Sequence, residues 1–221
     1  MSEGNSIEIS VVAGVLEGDL VVPSGASGIV VFAHGSGSSR YSPRNQFVAE
    51  QLRKAGLGTL LMDLLTPAEE SVDVYTSEHR FDIPMLASRV VLATDWLRDQ
   101  PNYSSLKVGY FGASTGAAAA LVAATERSNV AAVVSRGGRP DLAGNRLRRV
   151  TAPTLLIVGG NDTEVITLNR EANEQLTCEK GLEIVPGASH LFEEPGKLDT
   201  VAELAREWFV RFLGSQKRQA A

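Results

Sequence analysis

Lys107-Val108-Gly109-Tyr110-Phe111-Gly112-Ala113-Ser114-Thr115-Gly116-Ala117-Ala118-Ala119-Ala120-Leu121 is the stretch on which the reading of this chain turns. Lys107–Phe111 reads as a short buried strand and Ser114–Glu126 as an alanine-rich helix, with the pattern G-x-S-x-G between them. A sharp strand-to-helix turn of this kind lifts the serine hydroxyl above the sheet edge, as in a nucleophile elbow. The helix start supplies free N–H groups and a positive dipole end beside it, where an oxyanion would form. Glycines two residues to either side suit the turn, because side chains there would collide with the strand and the helix. The same pattern also fits an ordinary turn in which Ser114 caps the helix. The surroundings have to separate nucleophile from cap.

Outward from this turn the chain repeats one rhythm. Short apolar runs alternate with longer amphipathic segments, as in βαβ units feeding a mostly parallel sheet. Ile7–Val12 and Val15–Val22 read as an antiparallel pair turning at Ala13-Gly14, and Gly28–Ala33 as a strand covered on both faces. Gln46–Ala55 reads as a helix, Leu57–Met62 as a strand, and Pro84–Arg98 as a helix with Pro84 in its first turn. Strands at Val130–Val134, Thr154–Val158 and Leu182–Val185 follow, with helices at Thr167–Leu176 and Thr200–Leu213. The expectation is an α/β fold with an eight-stranded, mostly parallel sheet and helices on both faces, in a single domain over residues 1–221. Thr66–Asp82 reads as a polar surface loop that could act as a lid, and Ser135–Pro153 has room for a turn and a short helix but not for a cap domain.

Two more residues complete a catalytic set. Gly159-Gly160-Asn161-Asp162 follows the strand Thr154–Val158 directly, at a carboxyl end where open α/β sheets place their sites. Taken alone, Asp162 also fits a turn residue or a helix cap. Ser189-His190-Leu191-Phe192 lies in the loop after the last strand. Of the three histidines, His79 sits in the polar stretch as a solvated bystander, and His34 follows a strand with a different task. Ser114, Asp162 and His190 therefore occur in the order nucleophile, acid, base, each just past a strand.

The loop His34-Gly35-Ser36-Gly37-Ser38-Ser39-Arg40 supplies the remaining part. One oxyanion donor is the backbone N–H of Thr115, and the second is assigned to Ser36, with Gly35 and Gly37 allowing close backbone approach. His34 then shapes the loop through its ring nitrogens. A phosphate-binding glycine loop is the rival reading, but no G-K-[ST] follows.

With these residues in place the chain resembles the α/β-hydrolase superfamily, and within it small cap-less members of the dienelactone hydrolase family, over essentially its whole length. The resemblance implies hydrolysis of carboxylic esters or lactones with no metal and no organic cofactor. One position departs from it: authentic dienelactone hydrolase carries cysteine at the nucleophile, where this chain has Ser114. The lone Cys178 falls at a helix end, away from any such turn. Arg136 and Arg40 are candidates for binding a substrate carboxylate. Arg136 suits an ion pair better still, with Asp63, at the end of the fourth strand, either its partner or an ordinary turn residue.

Composition narrows the alternatives. The 221 residues are 43% hydrophobic and 21% charged, with a net charge of −5, which disfavours nucleic-acid or anionic-membrane partners. The basic clusters at Arg146, Arg148 and Arg149 and at Lys217 and Arg218 read as a solvated turn and a frayed terminus. A single cysteine excludes an intrachain disulfide and fits a reducing compartment. Met1–Ser10 lacks the basic start and apolar run of a secretory leader, and Gly116–Ala124 is too short to span a bilayer. A cytoplasmic monomer or homodimer acting on a small ester or lactone is the expectation. A thioesterase, acyltransferase or small peptidase would use the same triad, and a non-catalytic binder on a hydrolase scaffold is the alternative outside enzymes.

Overall fold

Continuous apolar strands are stable only in a sheet covered on both faces. The computed structural model, which describes residues 4–214, has that arrangement. In chain order the strands are β1 (Asn5–Val11), β2 (Gly14–Val21), β3 (Gly28–Ala33), β4 (Gly58–Met62), β5 (Lys107–Ala113), β6 (Val130–Arg136), β7 (Thr154–Gly159) and β8 (Lys180–Val185). They form one sheet in the order β1-β2-β4-β3-β5-β6-β7-β8. β1 and β2 pair antiparallel, and β2 joins β4 antiparallel. Every other pairing is parallel, so β3 and β5 to β8 deliver their loops to one edge.

The helices are α1 (Pro43–Lys54), α2 (Pro67–Thr76), α3 (Ile83–Asp99), α4 (Thr115–Glu126), α5 (Thr163–Gln175) and α6 (Lys197–Leu213). α1 and α6 cover one face, over a core containing Val30, Phe32, Phe111, Val134 and Phe209. α3, α4 and α5 serve the other, over Ile29, Val31, Tyr110, Val133 and Leu156. α4 carries the alanine run, and Thr115 through Ala124 are all buried. Small side chains let this helix lie close to the sheet and to α3, which is why its apolar run belongs to a core rather than a bilayer. Among the described residues, no helix is long and apolar enough to cross a membrane.

Several boundaries differ from the sequence expectation. The largest is the stretch 66–82, expected as a loop, which contains α2. Thr66 accepts the Glu69 N–H while Glu69 accepts the Thr66 N–H, a capping box that starts a helix despite the polar composition. α1 begins at Pro43 behind the Ser42 cap, and α5 at Thr163, each several residues earlier than the apolar periodicity implies. The first hairpin turns at Val12-Ala13 rather than Ala13-Gly14, since Val11 pairs with Gly14. Ser135–Pro153 holds the end of β6 and a 3₁₀ segment, Pro140–Arg149, kinked at Gly144. The first three residues of Met1–Ser10 and the basic pair Lys217 and Arg218 lie outside the described residues.

Candidate active site

Ser114 is at the centre of the sheet, where β5 gives way to α4. Its backbone has φ 50° and ψ −123°, a region L-residues avoid at a cost of about 1–3 kcal/mol. A Cβ at Gly112 would stand 2.4 Å from Ala117 Cα, and one at Gly116 would stand 2.2 Å from the Ala33 carbonyl oxygen. Gly112 is thus required by contact across the turn, and Gly116 by the close approach of the end of β3. Ser114 makes no capping bond, whereas Ser42, Thr66 and Asp82 each cap their helices through the side chain. The capping explanation for Ser114 does not describe this turn.

Asp162 repeats the pattern. It stands at the N-cap position of α5, yet its side chain caps nothing. Its Oδ2 lies 2.6 Å from His190 Nδ1 instead. That contact orients the imidazole with Nε2 directed away from the carboxylate. The Ser114 hydroxyl and His190 are brought to the same edge but share no hydrogen bond in this structure, an arrangement common in enzymes without substrate. The His190 side chain is 38% exposed and that of Asp162 16%, so the imidazole meets solvent while the carboxylate is sheltered.

The loop after β3 closes over Ser114. A Cβ at Gly35 would sit 2.9 Å from Ser114 Cβ, so only glycine permits this approach. His34 is buried and fully used: Nδ1–H donates to the Gly35 carbonyl at 2.9 Å and Nε2 accepts from the Leu64 N–H at 3.0 Å. Burial pushes its pKa down, which keeps the ring neutral and both bonds intact. The Ser36 N–H points at Thr115 Oγ1, 2.9 Å away. Leu64, Leu65, Leu86 and Thr115 line the small cleft beside this loop, and α2 with Arg80 forms its outer wall.

The arginines divide. Arg40 is bound to Asp63 and to Glu17, the latter at 2.5 Å, and lies over the Tyr41 ring. It is a structural tie between loop and sheet, not a free anchor for a substrate carboxylate. The same contact removes Asp63 as a partner for Arg136. Arg136 is 6% exposed, its Nε has no partner, and it ends β6 next to the nucleophile turn. Burial, with repulsion from Arg44, lowers its pKa to about 10.

The model of the dienelactone hydrolase family matches residues 16–215. The chain belongs to the dienelactone hydrolase family. A crystal structure of dienelactone hydrolase from Anabaena variabilis is 62% identical, with a TM-score of 0.93 over 96% of this chain and 98% of that one. An α/β serine hydrolase of Xanthomonas campestris described as without lid has a TM-score of 0.78 over 98% of each chain, and at 20% identity it shows the fold alone. Mycobacterium tuberculosis proteins named "Putative phosphoribosyl transferase" are 59% identical over 93% of this chain but only 46% of their own length. The chain therefore spans about half the length of the curated relatives it matches.

In this dienelactone hydrolase family member several positions that frame the site escape sequence reasoning. A Cβ at Gly159 would come within 2.4 Å of the Ser189 carbonyl oxygen, so this glycine lets the acid loop and the histidine loop touch. Both carboxylate oxygens of Glu194 accept the Ser189 N–H at 3.0 Å, and that amide holds the Glu194 pKa below the usual carboxylate range. Phe192 is 1% exposed at φ 58°, which anchors the histidine loop in the core at the cost of backbone strain. Asn169 Nδ2 donates to the Gly138 carbonyl at 3.0 Å from a fully buried position. The only sequence signal for these was an acidic pair and an aromatic just after His190. Among the described residues, no group of three or more His, Cys, Asp and Glu is placed to hold a metal ion. Cys178 is near Thr154, at the opposite end of β7 from Asp162, and burial raises its pKa.

Proposed function

We propose that this hydrolase acts on carboxylic esters or lactones of small substrates through an acyl-enzyme on Ser114. The observation that carries the reading is the 2.6 Å contact between His190 Nδ1 and Asp162, set beside a serine held at positive φ on a helix start. In the proposed cycle His190 accepts the Ser114 proton as Oγ attacks the carbonyl carbon. The tetrahedral oxyanion is stabilised at the helix start, where the Thr115 N–H is free. His190 returns the proton to the leaving alcohol, then activates water to release the acid, while Asp162 stabilises the charged imidazole. Arg136 remains as the residue suited to an anionic acyl part, since its buried charge has no carboxylate partner among the described residues. The name of the mycobacterial relatives belongs to proteins about twice as long, and the residues of this site are suited to acyl transfer.

A fluorophosphonate probe tests the reading directly. It should label the parent protein and fail on Ser114→Ala, with p-nitrophenyl ester and lactone turnover lost in the same variant. A parent protein that is neither labelled nor active on any ester, lactone or thioester would refute the proposal.

A further inference from the structure

Thr115 has a hydroxyl whose bonding is incomplete. Its oxygen already receives the Ser36 N–H at 2.9 Å, and the residue is 4% exposed. A hydroxyl that accepts one bond still has its own proton to place. Elsewhere in the described residues helical threonines spend that proton on a carbonyl one turn back: Thr94 on Val90, Thr125 on Val122, Thr167 on Thr163 and Thr200 on Gly196. Thr115 has no such bond. It is the first residue of α4, so the chain behind it is strand, not helix. Its side chain instead lines the cleft beside Gly35, Ser36 and Gly37.

The Ser36 amide is thereby occupied. Its hydrogen points at Thr115 Oγ1, so the donor assigned to the oxyanion from sequence is engaged elsewhere. We propose that the Thr115 hydroxyl is itself an oxyanion donor, held in place by the Ser36 N–H and acting together with the Thr115 backbone N–H. The backbone N–H is free because a first helical residue has no carbonyl four residues back within the helix. An N–H bonded to the hydroxyl oxygen polarises the O–H bond, strengthening its donation to a developing negative charge. Gly35 then has the task of letting the loop reach Thr115 across the top of Ser114. The inference rests on the serine hydrolase reading above.

Substitutions at Thr115 separate it from the alternative in which the Ser36 N–H turns to the oxyanion. Thr115→Val keeps the shape but frees the Ser36 amide. If Ser36 were the donor, kcat would hold or rise in this variant. The hydroxyl assignment instead requires kcat to fall by roughly 10²–10³, the usual effect of losing one such donor, with KM little changed. Thr115→Ser should recover most of that loss. Binding of a trifluoromethyl ketone, which forms a tetrahedral oxyanion adduct, should weaken in parallel in Thr115→Val, whereas binding of the product acid should not. The thermal midpoint shows whether each variant is folded. Valine and parent rates that coincide, or a serine variant as slow as valine, would overturn the assignment. Failure of the parent to react with a fluorophosphonate is a different result, and removes the underlying reading.

Discussion

At the scale of single residues, positions that break a local rule mark the site. Ser114 and Asp162 both stand where helices are capped, and neither caps. Ser114 and Phe192 hold positive φ without being glycine, one at the strand-to-helix turn and one two residues past His190. Arg136 breaks a different rule, since buried charges are ordinarily paired. Its pKa of about 10 leaves it charged through the neutral range, so the folded state carries an uncompensated cation that is relieved only above that pH. Arg136→Met should therefore stabilise the protein, by about 1–4 kcal/mol on the behaviour of buried ions replaced by apolar groups. Urea unfolding with an unchanged m-value checks this. The same variant should keep turnover of neutral esters and lose it selectively on esters with a carboxylate in the acyl part. A variant less stable than the parent would show that the guanidinium has a compensating partner in solution.

At the scale of elements, α2 and the loop after β3 form the working walls. α2 is held internally by its capping box and by the Arg80–Asp73 pair at 2.6 Å, and Arg89 on Glu69 at 2.8 Å ties it to α3. The loop after β3 depends on neutral His34. The unfolded chain protonates this histidine below its ordinary value of 6.5, whereas the fold, by lowering the pKa, resists protonation. The contribution is therefore full above that value and declines as pH falls below it. The urea midpoint of the parent should drop between pH 7.5 and pH 5, and His34→Gln should show a shallower drop over the same range. Parallel curves would overturn the assignment of this dependence to His34. Asp73 and Glu194, whose pKa values are lowered, contribute in the opposite sense of ionisation, and their stabilisation is lost only further into acid.

At the scale of the whole molecule, selectivity follows from what stands over the sheet edge. The segment between β6 and β7 holds only a kinked 3₁₀ turn, and the cleft that reaches Thr115, lined also by Gly35, Ser36, Leu64 and Leu65, is small. A short acyl chain can be covered there, but a long one runs out into water. Each methylene left exposed forfeits about 0.8 kcal/mol of transfer free energy. In a p-nitrophenyl ester series kcat/KM should level off or fall beyond a few carbons. A continuous rise to ten or more carbons would mean that an apolar tunnel opens when substrate binds.

The sequence by itself determined the rhythm of strands and helices, the turn at Gly112–Gly116, and the order of Ser114, Asp162 and His190. Each is a local property: periodicity sets which faces are buried, and a sharp turn limits its flanks to glycine. Thr66-Pro67-Ala68-Glu69 also held a local signal, the capping box that starts α2, which polar composition obscured. Tertiary structure alone decided the rest. Arg40 rather than Arg136 took Asp63 because β4 lies between β2 and β3, bringing Asp63 to the Arg40 loop. The roles of Gly159 and Glu194 exist only where the β7 and β8 loops meet. Ser36 and Thr115, 79 residues apart, share a hydrogen bond because β3 and β5 are neighbours in the sheet. Contacts of that kind depend on strand order, and strand order is fixed by packing the whole chain rather than by the residues that meet.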